Sequence, residues 1–216
     1  TGISVRIHRM NADRRPRIFQ RNPARIMVVG VVVILGFLFY IFWDLPPLDS
    51  LPETFMTPSV RITDRNGRLL YEILPHEGGR NTVLSIANIP QCLKDATIAV
   101  EDKNFYTNPG VDLTGIIRAL WINLKGGETI AGGSTITQQV ARNLLPAEEL
   151  GTRSPRRKVR EIVLAWQMTR QLSKDEILAL YLNQINYGGM AYGVEAASQT
   201  YFGKPAQDLL LPECAL

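Results

Sequence analysis

The sequence predicts a mainly α-helical domain that carries a small N-terminal β-hairpin and is preceded by one transmembrane helix. Three observations lead to this class. Residues 26–43 form an uninterrupted apolar segment without a charged side chain, residues 60–73 resemble two strands around an Asn-Gly turn, and most of the remaining chain has helical periodicity. A length of 216 residues allows one globular domain with appendages.

The net charge of +4 comes from the N-terminal tail. Residues 1–25 contain seven Arg and one acidic residue, Asp13, whereas residues 26–216 contain 17 basic and 19 acidic residues. A basic tail directly before an apolar segment is typical of a membrane anchor, so no nucleic-acid partner is expected. Two Cys and two His argue against a disulfide scaffold and against a zinc site.

The apolar segment has the length of a membrane span. Eighteen helical residues extend roughly 27 Å, close to the thickness of a bilayer's hydrocarbon core. Tyr40 and Trp43 lie where an interfacial aromatic belt is expected, and Asp44-Leu45-Pro46-Pro47 replaces the small-residue site of a cleaved signal. A cleaved signal and a buried core helix are the alternatives. The charges predict a cytoplasmic tail (1–25), a transmembrane helix (26–43), an extracytoplasmic Pro-rich linker (44–58) and a domain from residue 59 to 216.

Local signals define the elements of that domain in order. Asn66-Gly67 predicts a tight turn between strands 60–64 and 68–73. A helix should begin at Pro90 and end at Glu101-Asp102, a second should run from about 112 to 124, and a Gly-rich loop should span 126–133. Ser134 is the expected cap of the next helix. Further helices are predicted over 155–172, over 173–183 behind a capping box, and up to about 203. The last residues end inside an apolar run without a cap, so we expect the domain to be truncated at its C-terminus.

Three polar groupings could carry chemistry, and each has an ordinary structural explanation. Glu101 and Asp102 end a helix, where anions oppose the macrodipole, so Glu101 is a candidate base; the alternative is a solvated helix end. The polar run 132–139 opens a helix and could hold a phosphate, or could simply cap the helix. Arg157, Lys158 and Glu161 share a helix side, as a surface salt bridge or, with Arg142, as a pyrophosphate site.

Five segments in order resemble the motifs of the peptidoglycan glycosyltransferases, glycosyltransferase family 51. This family includes the N-terminal modules of class A penicillin-binding proteins and the monofunctional enzymes. The resemblance covers roughly residues 58–216 and rests on the following segments: EDKNFYTNPG (101–110), GGSTITQQ (132–139), RKVRE (157–161), KDEILALYLN (174–183) and YGVEAASQTYFGK (192–204).

The resemblance implies a lysozyme-like helical domain that polymerises lipid II, with the growing lipid-linked glycan as donor. Glu101 corresponds to the general base and Glu161 to the second active-site carboxylate. Lys158 corresponds to a contact of the donor pyrophosphate. Membrane lipids and other cell-wall synthesis proteins are expected partners. The residues expected to bind substrate are Asp102, Phe105, Ser134, Thr135, Gln138, Gln139, Arg142, Arg157, Lys158 and Asn183.

The implied chemistry suits these residue types. A sugar hydroxyl is a poor nucleophile and needs a base, whereas a pyrophosphate leaves as a stable anion and needs positive charge. No tightly bound cofactor is expected; a divalent cation, Mg²⁺ or Mn²⁺, at the pyrophosphate is allowed, with Glu161 as its candidate ligand. A single displacement should invert the anomeric carbon and give a β-1,4-linked chain. Two departures from the family pattern are Asn108, where His is usual, and Arg142, where many members carry Lys.

Two other functions and several local alternatives stay open at this point. A lysozyme or lytic transglycosylase would need a protonated carboxylic acid and would have little use for the cations. A non-enzymatic scaffold for wall-synthesis proteins would explain the anchor but not the clustered polar residues. The apolar residues 116–124, with Trp121, could touch the membrane or pack in the core. Cys92 and Cys214 could pair in an oxidising compartment, but single buried thiols are the favoured expectation. No transpeptidase motif set occurs in the chain.

Overall fold

The computed structural model describes residues 23–48, 51, 58–74, 79–112, 114–115, 121–122, 133–152 and 154–216. The chain divides into an N-terminal unit up to Trp43 and a larger unit from Asp44 to Leu216. Most of the predicted basic tail, part of the Pro-rich linker and most of the predicted helix at 112–124 lie outside the described residues. The four described residues of that helix, 114–115 and 121–122, are helical.

The N-terminal unit contains one helix, α1, over Pro23–Phe42. Residues 24–42 are long and apolar enough to cross a membrane, judged by length and composition. Nearly all of their side chains are exposed, in contrast to those of a core helix of a soluble domain. The prediction of an apolar helix at this place is therefore confirmed, with its start three residues earlier than expected.

The predicted β-hairpin opens the larger unit. Strands β1 (Val60–Thr63) and β2 (Leu69–Ile73) pair in antiparallel register. The Asp64 carboxylate accepts the backbone N–H groups of residues 66 and 68, each at 2.8 Å, and thereby closes the turn. Gly67 has a φ of 82°, the left-handed conformation that the tight turn predicted at Asn66-Gly67 requires. A second, parallel pair joins β3 (Arg80–Asn81) to β4 (Ala191–Tyr192) across more than one hundred residues and had no signal in the sequence.

Helices are the main secondary structure of the larger unit, and the bounds of the five longer ones agree with the predicted ones to within a few residues. Residues 147–155 were expected to form a loop, but 147–150 are helical, and the short helix at 211–214 was not predicted. The described helices are α2 (Gln91–Glu101), α3 (Ile136–Asn143), α4 (Ala147–Leu150), α5 (Pro155–Gln171), α6 (Lys174–Gln184), α7 (Gly193–Phe202) and α8 (Leu211–Cys214). The predicted capping box is present at the start of α6, where Ser173 and Glu176 bond each other's backbone N–H groups. Gly203 ends α7 with a φ of 68°.

The core forms where α3 packs against α5 and α6. Each helix buries one apolar face there, as its periodicity predicts. Because α3 is short and buries Ile136, Val140 and Ala141, its buried face fixes its rotation. Gln139 and Arg142 are thereby held on the less buried side. The largest fully buried apolar side chains of these three helices are Ile136, Leu164, Met168, Ile177, Leu178 and Leu182.

Cys92 and Cys214 form a disulfide bond, so the expectation of single buried thiols is wrong. The sequence separation of 122 residues gave no sign of the pairing, but α2 packs against α8 and brings the two Cα atoms to 5.8 Å. This separation lies in the range that a disulfide spans. The bond ties the first turn of the helix that ends at Glu101 to the last described helix.

Candidate active site

Glu101 is the last residue of α2 and lies between two cavities. A cavity of about 310 Å³ is bounded by Glu101, Asp102, Asp112 and the start of α3. A larger groove of about 590 Å³ lies on the other side and is mostly apolar. The Glu101 carboxylate is half-buried, and its Oε2 atom accepts a hydrogen bond of 2.7 Å from Nε2 of Gln139 on α3. One of its oxygens is thus fixed while the residue borders both cavities.

Glu161 lies at the centre of a cluster of three cations. Its side chain is fully buried on α5. Nε of Arg142 lies 3.1 Å and Nε of Arg157 lies 3.2 Å from Oε1, and Nζ of Lys158 lies 3.2 Å from Oε2. We call these four residues the cation cluster. A carboxylate without exposed surface is not part of a surface salt bridge, so the ordinary explanation of this motif does not hold. Three positive charges around one negative charge leave a net charge of +2.

The cation cluster and Glu101 belong to the same side of the molecule. Nζ of Lys158 donates a hydrogen bond of 2.8 Å to Oγ of Ser134, and Ser134 lines the smaller cavity together with Glu101. Helix α3 supplies a second connection, because Gln139 contacts Glu101 and Arg142, one turn later, contacts Glu161. Two independent chains of contacts therefore join the two carboxylates that the resemblance singles out.

Thr135, and not Ser134, caps α3. The hydroxyl of Thr135 accepts the N–H of Gln138, and the Gln138 side chain accepts the N–H of Thr135. The Thr135 hydroxyl also donates to the carbonyl of Gly110 at 2.7 Å. The predicted cap was wrong by one residue because the cap must precede the first helical residue, Ile136. Both capping side chains are buried, and Ser134 is left to bind Lys158.

Asp102 is buried and holds the start of α3. Its carboxylate accepts hydrogen bonds from Nδ2 of Asn108 at 3.0 and 2.9 Å, and the N–H of Ile136 donates to it at 3.3 Å. Oδ1 of Asn108 accepts in turn from the N–H of Gly110 and from Nζ of Lys174. Asn108, which replaces the usual His of the family pattern, therefore has hydrogen-bond partners at both polar atoms of its amide.

Two further predicted substrate-binding residues are buried in the core and, like the capping residue Gln138, line neither of the two cavities. Phe105 is fully buried in the core, with Nζ of Lys174 lying 4.8 Å from its ring centroid. Asn183 is also buried; its amide bonds the N–H and C=O of Leu84 and the C=O of Ala179, each at 2.8 Å. These contacts make the two residues structural supports of the site, and their predicted contact with substrate stays a prediction. The motif pattern could not separate them from contact residues, because both kinds recur at fixed positions.

The larger groove contains tyrosines that the sequence did not indicate. Tyr181 on α6 and Tyr187 both line it beside Glu101. Burial raises the pKa of Tyr181, and the negative charge of Glu101 raises it further. The same two causes raise the pKa of Tyr187 to about 12. The Tyr181 hydroxyl is buried and has no hydrogen-bond partner among the described residues. A helical apolar period explains Tyr181 equally well, so no signal could have found it.

The carboxylate oxygens of Glu161 are occupied by cations and are not free to bind a divalent metal ion. Both oxygens face Arg or Lys nitrogens within 3.2 Å, so a metal would have to displace them. Within the described part of the chain, no three His, Cys, Asp or Glu side chains form a group that could hold a metal. A cation carried mainly by phosphate oxygens would need fewer protein ligands.

Comparison with known proteins places these features in a family. The family described as Transglycosylase matches residues 66–216. Penicillin-binding protein 1A of Rickettsia prowazekii is 38% identical over 195 residues, which are 89% of this chain and 24% of that protein. The proteins of the same name from Pseudomonas aeruginosa and Mycolicibacterium smegmatis are each 41% identical over 88% of this chain and cover 22% and 24% of their own length. The chain spans about a quarter of the length of the curated relatives it matches.

The fold and site define a mainly helical, lysozyme-like domain with one half-buried carboxylate beside a cation cluster. The match over residues 66–216 and the relatives at about 40% identity identify the family. The chain belongs to the transglycosylase family. The family and the fold inferred from the five motifs are thereby confirmed, whereas the roles of individual site residues stay predictions.

Proposed function

We propose that the chain is a peptidoglycan glycosyltransferase module that polymerises lipid II into β-1,4-linked glycan strands with release of polyprenyl pyrophosphate. One observation carries the proposal: Glu101 and Ser134, the latter bonded to Lys158 of the cation cluster, line one cavity of about 310 Å³. A base in the lining of the cavity and a cation bonded to another lining residue match the two needs of this transfer, a proton acceptor and positive charge for the leaving group. The family membership supports the same class of reaction.

Glu101 is the general base of the proposed reaction. As the acceptor 4-hydroxyl oxygen bonds to the donor's anomeric carbon, Glu101 accepts the hydroxyl proton. The bond from that carbon to the phosphate oxygen breaks, and its electron pair leaves with the pyrophosphate. Attack and departure on opposite faces invert the carbon. The hydrogen bond from Gln139 to Oε2 orients the carboxylate for this task.

The cation cluster stabilises the departing pyrophosphate. Side chains of Arg142 and Lys158 are 37% and 36% exposed, so they reach solvent while Glu161 stays buried behind them. Fixed charges in a partly desolvated site stabilise a developing anion better than mobile water does. Glu161 acts by holding the three cations in place. Any Mg²⁺ or Mn²⁺ would bind through the phosphates and would supply further positive charge there.

The chain is proposed to act on the extracytoplasmic face of the membrane with its N-terminus in the cytoplasm. Helix α1 is long and apolar enough for the anchor, and the Arg-rich residues before it favour the cytoplasm. The Cys92–Cys214 disulfide supports an oxidising compartment for the larger unit. An anchored enzyme and a lipid-linked substrate share one surface, which raises their encounter frequency.

Incubation of the purified chain with lipid II in detergent tests the proposal. The parent should form glycan polymer, and Glu101→Gln should lower the rate at least about 100-fold because general-base catalysis contributes about 10²–10⁴-fold. Glu72→Gln is a matched control on the hairpin. An active Glu101→Gln variant would exclude Glu101 as the base. Release of soluble fragments from finished peptidoglycan, without consumption of lipid II, would indicate the lytic alternative.

A further inference from the structure

The residues around Asp102 contain a cation in a place that helix electrostatics do not favour. Lys174 is the first residue of α6, where the macrodipole favours anions, and the two acidic residues that follow it obey that rule. Lys174 is half-buried, and burial lowers its pKa while the charge of Asp102 opposes this shift. A lysine that is both partly desolvated and at the wrong helix end requires a compensating contact.

Two groups provide such contacts: the Phe105 ring, whose centroid lies 4.8 Å from Nζ, and Asn108. Nζ of Lys174 donates to Oδ1 of Asn108 at 3.1 Å, and the N–H of Gly110 donates to the same oxygen at 2.9 Å. Two donors on Oδ1 fix which way the amide points. Its Nδ2 group must then face the Asp102 carboxylate, to which it lies at 2.9 and 3.0 Å. A reversed amide would direct its oxygen at a carboxylate and its N–H groups at an ammonium ion.

Asp102 connects the Lys174–Asn108 contact to the end of α2, where Glu101 lies, and to the start of α3. It follows Glu101 directly in the chain, so its position sets the end of α2. Its carboxylate also accepts the N–H of Ile136 in the first turn of α3, the helix that carries Gln139 and Arg142. The relay from Lys174 through Asn108 to Asp102 therefore joins the base's helix to the helix that contacts both Glu101 and Glu161.

We propose that Lys174 is a positioning residue that acts through Asn108 and Asp102 to hold Glu101 in register with Gln139 and the cation cluster. The inference rests on the proposed function, because it needs Glu101 to be the base. Lys174 does not touch the cavity around Glu101 and takes no proton in the reaction. The charge of Lys174 sets the position of Glu101, so removal of this charge should lower kcat and leave the KM for lipid II nearly unchanged.

The first test compares lysine variants of the full chain in lipid II polymerisation. Lys174→Met keeps the aliphatic stem and removes the charge; we expect kcat to fall about 10–100-fold, as a displacement near 1 Å does, with KM within about threefold. Lys174→Arg keeps the charge and should stay within about fivefold of the parent. Lys94→Met is the matched control, because Lys94 is also a half-buried lysine but lies on α2. Its kcat should stay within about twofold of the parent value. A Lys174→Met variant with the kcat of Lys94→Met would overturn the proposal.

The second test uses Asn108→Asp, which has nearly the same shape and is expected to fold even if Lys174→Met does not. The charged groups that face Asn108 are Asp102 and Lys174, and Asp175 accepts a bond from neighbouring Tyr106. Two facing carboxylates repel each other until one binds a proton. The ratio of variant to parent kcat should therefore rise about tenfold or more between roughly pH 8 and pH 5.5.

The ratio cancels those effects of pH that the two proteins share. A ratio that does not change with pH would contradict the relay. Circular dichroism of the variant at each pH separates the proposed effect from a change in the amount of folded protein, which the same repulsion could cause. Glu101→Gln separates this inference from the function on which it rests. Full activity of Glu101→Gln refutes the proposed function, whereas an inactive Glu101→Gln beside a fully active Lys174→Met refutes the positioning role alone.

Discussion

Replacement of Glu161 by Gln removes the one negative charge among three cations at nearly constant volume. At about 3.2 Å and an effective dielectric constant of about 20, each ion pair has a Coulomb energy of about 5 kcal/mol. Solvent reduces the share of Arg142 and Lys158, which are more than a third exposed. Breaking a buried pair costs about 3–5 kcal/mol because the remaining charges stay desolvated. We expect the lower end of that range for Glu161→Gln.

A loss of about 3 kcal/mol corresponds to a fall in Tm of about 6–12 °C for a domain of this size. Thermal unfolding of the full chain in detergent, followed by circular dichroism, measures it. Glu72→Gln is the control. It removes the charge that faces the exposed Arg80 at 3.5 Å, whereas the Gln amide oxygen can keep the hydrogen bond that Ser59 donates to Glu72, so the loss should be under about 1 kcal/mol. If Glu161→Gln lowered Tm no more than this control, the charge balance inferred for the cation cluster would be refuted.

The same variant should lose activity at temperatures where it is folded. Without Glu161 the three cations repel one another and leave the geometry that suits a pyrophosphate. We expect kcat/KM for lipid II to fall about 100-fold, comparable to the loss of one donor to a developing anion. Undiminished kcat/KM in folded protein would mean that Glu161 is a structural residue only.

Three further predictions follow from other contacts of the site. Gln139→Leu removes the 2.7 Å hydrogen bond to Glu101 and should lower kcat about tenfold, with Tm changed little; an unchanged kcat in the polymerisation assay would contradict the orienting role. Reduction of the Cys92–Cys214 bond, or its replacement by two Ser, should lower the free energy of unfolding by about 2–5 kcal/mol, because the bond closes a long loop; equal Tm values with and without reductant would contradict this. Because the pKa of Tyr181 is raised, its hydroxyl stays protonated in the folded state above pH 10, whereas the unfolded chain loses that proton. The free energy of unfolding should therefore fall as the pH rises above about 10. Glu101→Gln should lower the pKa of Tyr181 in an ultraviolet tyrosinate titration, and an unchanged titration would place Glu101 farther from Tyr181.

Local signals determined the elements of this fold. The Asn-Gly turn, the Ser173 capping box and the apolar helix at residues 26–43 appear at the predicted places. Each depends on residues within about one or two helical turns of each other, so short sequence windows contain the information. The pair β3–β4 and the Cys92–Cys214 bond depend on contacts across more than one hundred residues, and no window contains them.

The candidate site divides in the same way. The pairing of Arg157 and Lys158 with Glu161 follows from their separations of four and three residues on one helix, so the sequence determined it. Only the tertiary structure decided that Glu161 has no exposed surface, because burial depends on α3 packing over α5. Packing also decided that Phe105 and Asn183 support the site from within the core, and that Asn108 and Lys174, 66 residues apart, meet at the carboxylate that follows Glu101. Residue types along the chain define which groups can interact, and the distances that make them interact are set by folding.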